Sequence, residues 1–169
     1  MMRAADVQQG AWRQMHASDL ASVSSISDAV HGRYTEDVAV YAERLALHPP
    51  GCLVFERDGA VAGYLITHPW HRESPPKLGA LLGAIPADAT TYYLHDIALL
   101  PAARGTGAGK AALDFVMDRA RALGFADITL MAIGGADRFW AAQGFAIVPR
   151  GADPSYGAGA YLMRMPVSI

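Results

Sequence analysis

The sequence has little with which to cross-link a small protein: it contains one cysteine, Cys52, among 169 residues. A single thiol can form neither a disulfide within the chain nor a cysteine-based zinc cluster. A hydrophobic core therefore has to stabilise the fold, and a chain of this length can form such a core as one domain. We expect a single domain over residues 1–169, with a flexible tail at residues 1–10, in the reducing environment of the cytoplasm.

The sequence also lacks a strong excess of charge and any long apolar run. Its formal net charge is −2, so it has no basic surface that would attract nucleic acid or anionic lipid. No apolar run approaches the ~20 residues of a membrane span, and the first residues do not resemble a secretory signal. His68 and His71 lie three residues apart without an acidic partner, which is more typical of solvated loops than of a metal site. We expect soluble partners, with no nucleic acid, membrane or metal.

The clearest pattern lies in residues 91–124, which predict a strand, a glycine-rich turn and a helix in succession. Residues 92–100 are rich in aromatic and branched side chains and are followed by Pro101. Three glycines then alternate with other residues at positions 105, 107 and 109. The next apolar residues recur at helical spacing and Gly124 follows as a C-cap, which predicts an amphipathic helix with these residues inward: Leu113, Val116, Ala120 and Leu123.

The glycine-rich turn predicts an anion site. Glycines leave backbone N–H groups uncovered, and the first turn of a helix adds unpaired amides and the positive end of its dipole. The spacing excludes two common phosphate motifs. A nucleotide-triphosphate loop needs Gly at position 104 and Ser or Thr at 111, where the chain has Arg104 and Ala111. A dinucleotide fingerprint needs its third glycine at position 110, which is Lys110.

Arg-x-x-Gly-x-Gly at residues 104–109, after a hydrophobic strand that ends in proline, resembles the GCN5-related N-acetyltransferase (GNAT) family. The segment 139–145, two aromatic residues followed by Gly-Phe, is similar to a second motif of that family. The resemblance implies that Arg104, Gly107 and Gly109 bind the pyrophosphate of acetyl-CoA as co-substrate. It extends the cofactor-binding set over the strand, the turn and the aromatic segment: Ile97, Ala98, Leu99, Arg104, Gly105, Thr106, Gly107, Ala108, Gly109, Lys110 and Trp140.

The rest of the chain predicts an α/β (α+β) fold. Asp-Gly at 58–59 between two apolar runs indicates a hairpin of residues 52–57 and 60–66. Ser18 and Thr35 are expected to cap two helices, and residues 69–88 are expected to form a loop with a short helical cover. The resemblance implies a mixed, largely antiparallel sheet of about 6–7 strands with about four helices, splayed around the acetyl-CoA site. Further strands are expected at residues 11–16, 126–131, 145–148 and 159–165, and a short helix is expected at residues 136–143.

The reaction that the resemblance implies is acetyl transfer to an amine of a small molecule or a peptide. Removing a proton from an alkyl ammonium at neutral pH costs on the order of 4 kcal/mol, so a general base is valuable. We select His95, on the strand before the glycine turn, because imidazole accepts a proton near neutrality. Tyr93 is a second catalytic candidate, where other members have Glu. Asp96 is expected on the opposite strand face unless a bulge intervenes.

The family often has a Tyr at the position of Trp140, where it acts as general acid. Indole cannot return a proton to a thiolate, so Trp140 cannot act as that acid. Three tyrosines could replace that acid and the sequence does not rank them: Tyr92, Tyr156 and Tyr161. A few carboxylates, including Glu36, could line the acceptor site, but no acidic cluster dominates. The alternative to an enzyme is an acyl-CoA-binding module of the same fold without catalysis. A homodimer is a further possible assembly.

Overall fold

A seven-stranded mixed sheet forms the centre of the structure, a computed structural model that describes residues 10–168. The strand order is β1-β2-β3-β4-β5-β7-β6, and every neighbouring pair is antiparallel except β4 and β5. The strands are Ala11–Gln14 (β1), Cys52–Arg57 (β2), Ala60–Trp70 (β3), Thr91–Leu99 (β4), Asp127–Ala132 (β5), Ala146–Ile147 (β6) and Tyr161–Pro166 (β7). The α-helices are Leu20–His31 (α1), Val38–Leu47 (α2), Ala108–Ala122 (α3) and Asp137–Ala142 (α4). Residues 1–9, most of the predicted tail, lie outside the described part of the chain.

Helices cover both faces of the sheet, as predicted. On one face α1 and α2 bury Val23, Ile26 and Tyr41 against β2, β3 and β4. On the other face α3 presents small and branched side chains, among them Val116 and Ala120, to β4 and β5. Burying a side chain such as Val or Ile contributes roughly 1.5–3 kcal/mol. The prediction that Leu123 points inward is wrong, because α3 ends at Ala122 and Leu123 is exposed.

The hairpin of β2 and β3 confirms the Asp-Gly turn signal. Asp58 and Gly59 both have positive φ, 52° and 76°, which is the conformation that a two-residue type I′ turn requires. Strand β3 continues past the predicted end at residue 66 to Trp70. Because β3 is longer than predicted, β3 and β4 pair over almost their whole length.

Strands β4 and β5 separate after three residue pairs, which confirms the predicted splay. They pair in parallel from Tyr92↔Ile128 to Leu94↔Leu130. Beyond Leu94, β4 continues along β3 to Leu99, whereas β5 continues along β7 to Ala132. The two strands therefore open a gap in the middle of the sheet, at the end that leads to the glycine-rich turn.

A bulge in β4 changes which side chains face this gap. The register with β3 shifts between Ile66↔Asp96 and Thr67↔Leu94, so His95 is the extra residue. A regular strand would place His95 and Asp96 on opposite faces. With the extra residue, both side chains contact residues of the α1–α2 side: His95 contacts Glu36, and Asp96 contacts His31. Asp96 therefore lies on the same side as His95, which the sequence interpretation expected only if a bulge intervenes.

The two predicted helix caps, Ser18 and Thr35, are wrong. Ser18 lies inside a short 3-10 turn, and α1 starts after Asp19. Thr35 does not cap α2: its hydroxyl donates to Asp28 Oδ1, and Asp37 caps the helix by accepting from Ala39 N.

The predicted helical cover is absent from residues 71–90, which all lie in the described part and are here named the connecting loop. Its amides bind carboxylates of the α2 region instead of forming helical bonds. Gly79 N donates to Glu36 Oε2 at 2.7 Å, and Leu82 N donates to Glu43 Oε1 at 2.6 Å. These bonds attach the connecting loop to the α1–α2 side of the sheet, beside the gap.

Candidate active site

The gap between β4 and β5 contains a cavity of about 280 Å³, here named the gap cavity. One wall is β4 at His95, Asp96 and Ile97, and the opposite wall is β5 and the segment after it at Met131 and Ile133. Its remaining lining includes Val30 and His31 at the end of α1, and Ala136, Phe139 and Trp140 around α4. The cavity is therefore mostly apolar, with polar groups gathered at one end, as is common for ligand sites.

A second cavity of about 220 Å³, the turn cavity, continues from the gap to the glycine-rich turn. The two cavities share lining residues, so they form one groove: Val30, Ile97, Phe139 and Trp140. The turn cavity also brings together several of the predicted cofactor-binding residues: Ile97, Ala98, Leu99, Arg104, Gly109 and Trp140. The other predicted residues of the turn do not line this cavity, and the sequence interpretation gave no role to Val30, which lines both cavities.

The glycine-rich turn has the backbone that the sequence predicts. Gly105 and Gly107 have φ of 74° and 83°, and Gly107 is the N-cap of α3. The first bond inside the helix runs from Ala111 N to Gly107 O, so the amides of Gly109 and Lys110 have no acceptor within α3. A Cβ on Gly109 would come no closer than 3.8 Å to Leu99, which leaves the surface of the turn open toward the turn cavity.

The other residues of the turn have different roles from one another. The Thr106 hydroxyl donates to Ala103 O and accepts from Ala108 N, so it stabilises the turn itself. Ala108 is buried, and its carbonyl accepts from Trp12 Nε1 at 2.9 Å. Of the two predicted cations, Arg104 lines the turn cavity, whereas Lys110 is exposed and pairs with Asp114 on the surface of α3.

Backbone amides of β4 face the groove where the sheet is open. Leu100 N donates to Ala62 O on the β3 side. Because successive amides of a strand point in opposite directions, those of Ile97 and Leu99 point away from β3 and toward the gap. In the described part of the chain, no strand other than β3 pairs with β4 at this level, so these donors are available to a ligand in the groove.

His95 forms a buried pair with Glu36 at the polar end of the gap cavity. His95 Nε2 lies 2.7 Å from Glu36 Oε1, and the two side chains are only 1% and 4% exposed. Burial opposes ionisation of Glu36, but the nearby His95 charge and hydrogen bonds from His95 and Gly79 lower the pKa of Glu36 overall. Since a carboxylate only accepts, His95 Nε2 carries a proton, and in the neutral imidazole Nδ1 carries the lone pair. His95 Nδ1 is buried and has no hydrogen-bond partner among residues 10–168.

His31 and Asp96 form a second pair on the same wall. His31 Nε2 lies 2.6 Å from Asp96 Oδ1, and Tyr64 donates to the other carboxylate oxygen at 2.6 Å. Burial lowers the pKa of His31, but the hydrogen bond and charge of Asp96 outweigh it, so the pKa is raised overall. The sequence interpretation gave His31 no role. A signal was present, because a histidine directly before Gly32 stands at a helix end.

A third cavity of about 30 Å³, the acceptor-side cavity, lies next to the gap cavity. Both imidazoles and both carboxylates of the two pairs line it. Leu78 of the connecting loop and two phenols, Tyr34 and Tyr156, complete its edge together with Met131 and Ile133. Tyr156 is therefore the one among the three sequence candidates for a proton donor that borders the acceptor-side cavity.

Tyr93, the second catalytic candidate, is buried and does not line the gap, turn or acceptor-side cavity. Its ring lies 6.2 Å from the ring of His95 and 5.6 Å from that of His68, centre to centre. Burial, together with the neighbouring Tyr156, raises the pKa of Tyr93 well above its ordinary value. Tyr93 thus stays protonated at neutral pH and lies behind His95 rather than beside a ligand.

Trp140 and Phe139 both belong to the groove, which the sequence alone left open. Trp140 is buried and packs edge-on against Phe145 at 5.4 Å, while lining both large cavities. Phe139 is 53% exposed and lines the same two cavities. An aromatic ring that lies so exposed along a groove is suited to cover an elongated ligand.

Two features are absent from residues 10–168: a membrane-spanning helix and a metal-binding cluster. Within that range no helix has the length and apolar composition needed to cross a bilayer. In the same range, no group of three or more His, Cys, Asp or Glu side chains has an arrangement that could hold a metal ion.

Comparison with known proteins identifies a family. Residues 12–145 match the sequence model of the Acetyltransferase (GNAT) family. No curated protein matches the chain significantly by sequence.

Many solved structures share the fold. Ard1 from Thermoplasma volcanium aligns with a TM-score of 0.72 and 20% identity, over 95% of this chain and 99% of Ard1. The GNAT-like decarboxylase GphF, in complex with isobutyryl-CoA, aligns with a TM-score of 0.77 and 18% identity, over 94% and 100% of the two chains. The ribosomal-protein-S18-alanine N-acetyltransferase from Escherichia coli aligns with a TM-score of 0.66 and 18% identity, over 95% of each chain.

Proposed function

Because the chain belongs to the acetyltransferase (GNAT) family, we propose that it is an acetyl-CoA-dependent N-acetyltransferase. It transfers an acetyl group to a primary amine of a small molecule or a peptide by direct attack on the thioester. The observation that carries the proposal is one continuous groove. This groove joins the open amides of the glycine-rich turn to two histidine–carboxylate pairs in the gap.

The groove fits an acyl-CoA chemically. The free amides of Gly109 and Lys110, the positive end of α3 and the cation of Arg104 would hold the pyrophosphate. The amides of Ile97 and Leu99 would bind the elongated pantetheine part along β4, with Trp140 and Phe139 covering it. Bound acetyl-CoA would supply an acyl group on a thiol whose pKa is near 8.5, so the thiolate leaves without much assistance.

His95 is the proposed proton acceptor, with Tyr93 behind it. Glu36 fixes the tautomer of His95 and stabilises the imidazolium that forms when Nδ1 takes up a proton. Tyr93 acts through His95, as a neutral neighbour that keeps its surroundings dry. Trp140 cannot serve as the acid, so a phenol is needed if thiolate departure is assisted. Tyr156 is the candidate for that role, because its phenol lines the acceptor-side cavity.

Charge on the acceptor-side cavity favours an ammonium over a carboxylate. Glu36 and Asp96 are the two carboxylates that line it, and each is hydrogen-bonded to one of the two imidazoles. A decarboxylase would have to admit a third carboxylate, that of its substrate, at this place. Amine acylation is therefore the better-supported reaction, although one structural neighbour is a GNAT-like decarboxylase.

A second candidate is an acyl-CoA-binding module without catalysis. It is favoured by Trp140 where the family often has a phenol and by Tyr93 where other members have a carboxylate. Both candidates are compatible with the expected cytoplasmic location and with a homodimer.

The experiment is a thiol-release assay with acetyl-CoA and a panel of primary amines, with the amide product identified by mass spectrometry. We expect turnover with at least one amine, and a loss of about a hundredfold in kcat for His95→Ala. Tight acetyl-CoA binding without amide formation on any amine would favour the binding module. Loss of CO₂ from malonyl-CoA to give acetyl-CoA, without thiol release in the presence of any amine, would favour a decarboxylase.

A further inference from the structure

The site contains two histidine–carboxylate pairs, and only one of them contains the histidine selected from the sequence. The two imidazoles differ in access. The His95 side chain is 1% exposed, whereas the His31 side chain is 16% exposed and lines both the gap cavity and the acceptor-side cavity. A group that enters the site from solvent therefore meets His31 more readily than His95.

His31 is held in this place by local structure. It is the last residue of α1, and Gly32, with φ of 55°, turns the chain away directly after it. The helix end carries partial negative charge, which favours an imidazolium. The bulge at His95 brings Asp96 onto the same side, where it accepts from His31 Nε2. The Nε2 proton is thereby fixed, and Nδ1 retains the lone pair.

Asp96 is itself oriented by a chain of hydroxyl groups. Tyr64 donates to Asp96 Oδ2, and further inside the core Ser27 bonds both the Tyr41 hydroxyl at 2.6 Å and the Thr35 hydroxyl at 2.9 Å. A carboxylate with both oxygens bound cannot rotate freely, so the imidazole that it holds is fixed as well.

We propose that His31 is a second catalytic residue, which accepts the first proton from the ammonium group of the acceptor, and that Asp96 is its positioning residue. The proposal rests on the proposed N-acetyltransferase function. It assigns each histidine–carboxylate pair one of the two protons that an ammonium nitrogen must lose to become an amide nitrogen.

The proton balance needs both pairs. His31 Nδ1 takes one proton and leaves a neutral amine, whose lone pair can form the C–N bond. His95 Nδ1 takes the second proton when the C–N bond has formed and the C–S bond breaks with its electron pair left on sulfur. One of these protons is then returned to the thiolate sulfur, and the other is lost to solvent. No oxidant or further reactant is required.

The pH dependence follows from the base form of His31. Because the pKa of His31 is raised by Asp96 against the effect of burial, we expect kcat/KM to rise with pH through that raised pKa. The charged and titratable groups that face His31 come from several elements: Asp96 and His95 of β4, Glu36 before α2, and the phenols of Tyr34, Tyr64 and Tyr156.

The test compares His31→Ala and His95→Ala with the wild-type protein, with imidazole added to the assay. His31→Ala should lose about a hundredfold in kcat. Added imidazole should restore at least a tenth of the wild-type rate, because the vacated site opens on the groove. His95→Ala should show no such rescue, because its ring lies in a closed site. His71→Ala is the matched control: His71 lies beyond the end of β3, is 39% exposed, and should be as active as wild type.

A second set of variants tests the pair itself. His31→Gln keeps a donor to Asp96, so it should fold like the wild type. Because Gln cannot accept a proton, this variant should lose as much kcat as His31→Ala does, and its kcat/KM should not rise with pH. Asp96→Asn should move the rise in kcat/KM to lower pH, because the carboxylate no longer raises the pKa of His31. Tyr64→Phe removes the other bond to Asp96 and should shift the rise less than Asp96→Asn does.

The outcomes distinguish a failure of the proposed N-acetyltransferase function from a failure of the role proposed for His31. If the wild-type protein binds acetyl-CoA but acetylates no primary amine, the proposed function fails and the role of His31 fails with it. If the wild type is active and His31→Gln is equally active, the N-acetyltransferase stands and His31 is not its base. Unchanged acetyl-CoA affinity in His31→Ala, measured by calorimetry, is expected in every case that supports the proposal.

Discussion

Glu36 connects three parts of the molecule through one carboxylate. Oε1 accepts from His95 Nε2, and Oε2 accepts from Gly79 N of the connecting loop. Glu36 lies just before Asp37, the N-cap of α2, so the start of that helix sets its position. Its buried charge is stabilised by these hydrogen bonds and by the nearby Arg44, which together lower its pKa against the cost of burial.

Replacing Glu36 by Gln should destabilise the protein in a pH-dependent way. The folded-state pKa lies below the ordinary value of 4.5, so the ionised carboxylate stabilises the fold above pH 4.5. That stabilisation is lost as the pH falls through the lowered pKa. At pH 7 we expect Glu36→Gln to reduce the free energy of unfolding by about 1–3 kcal/mol, measured by urea titration. The difference from wild type should shrink below pH 4.5.

Glu73→Gln is the control, because Glu73 is exposed on the connecting loop. It should stay within about 0.5 kcal/mol of wild type at every pH. A Glu36→Gln difference that is the same at pH 7 and pH 4 would show that the ionised carboxylate is not the source of the stability.

At the scale of residues, the sequence predicts groups that a motif carries, but it does not predict which distant groups the fold pairs with them. His95, Arg104 and Gly109 follow from one continuous segment. Glu36 and His31 lie 59 and 65 positions before the residues that they contact. No periodicity connects positions so far apart in the sequence. The bulge that places Asp96 beside His31 contains no glycine or proline from which it could be predicted.

At the scale of elements, the glycine-rich turn and the first turn of α3 form the proposed binding site for the pyrophosphate. Gly107→Val should reduce acetyl-CoA affinity at least tenfold in calorimetry, because its side chain would project over the open amides. The left-handed φ of 83° at this position should also cost roughly 1–2 kcal/mol of stability.

Gly124→Val separates binding from strain. Gly124 follows the other end of α3 and has a closely similar φ of 79°, with no atoms within 4 Å of an added Cβ at either glycine. It should therefore lose similar stability and keep full acetyl-CoA affinity. Equal affinities in the two variants would mean that the turn does not bind the co-substrate.

The elements themselves were largely predictable, and their exceptions have a common cause. The hairpin turn, α3 and the strand after it follow from local turn residues and from periodicity. The connecting loop was expected to form a short helix because Leu78, Leu81, Leu82 and Ile85 recur at helical spacing. Two carboxylates from the α2 region, Glu36 and Glu43, bind its amides instead, and such long-range competition leaves no local trace.

At the scale of the whole molecule, the function depends on where the sheet opens. Parallel pairing of β4 and β5 ends at Leu94↔Leu130, directly before the bulge and the two histidine–carboxylate pairs. The groove then runs to the turn that starts α3. The family resemblance anticipated this splay, whereas composition and periodicity alone gave only an α/β chain with helices on both faces.

A crystal structure with CoA bound tests the central claim most directly. We predict that the pyrophosphate contacts the amides of Gly109 and Lys110 and the side chain of Arg104. The pantetheine should lie between β4 and Trp140, with its sulfur in the gap cavity near His31 and His95. CoA bound elsewhere, for example in the cavity lined by Arg72 and Thr90 at the far end of β4, with the gap empty, would contradict the account.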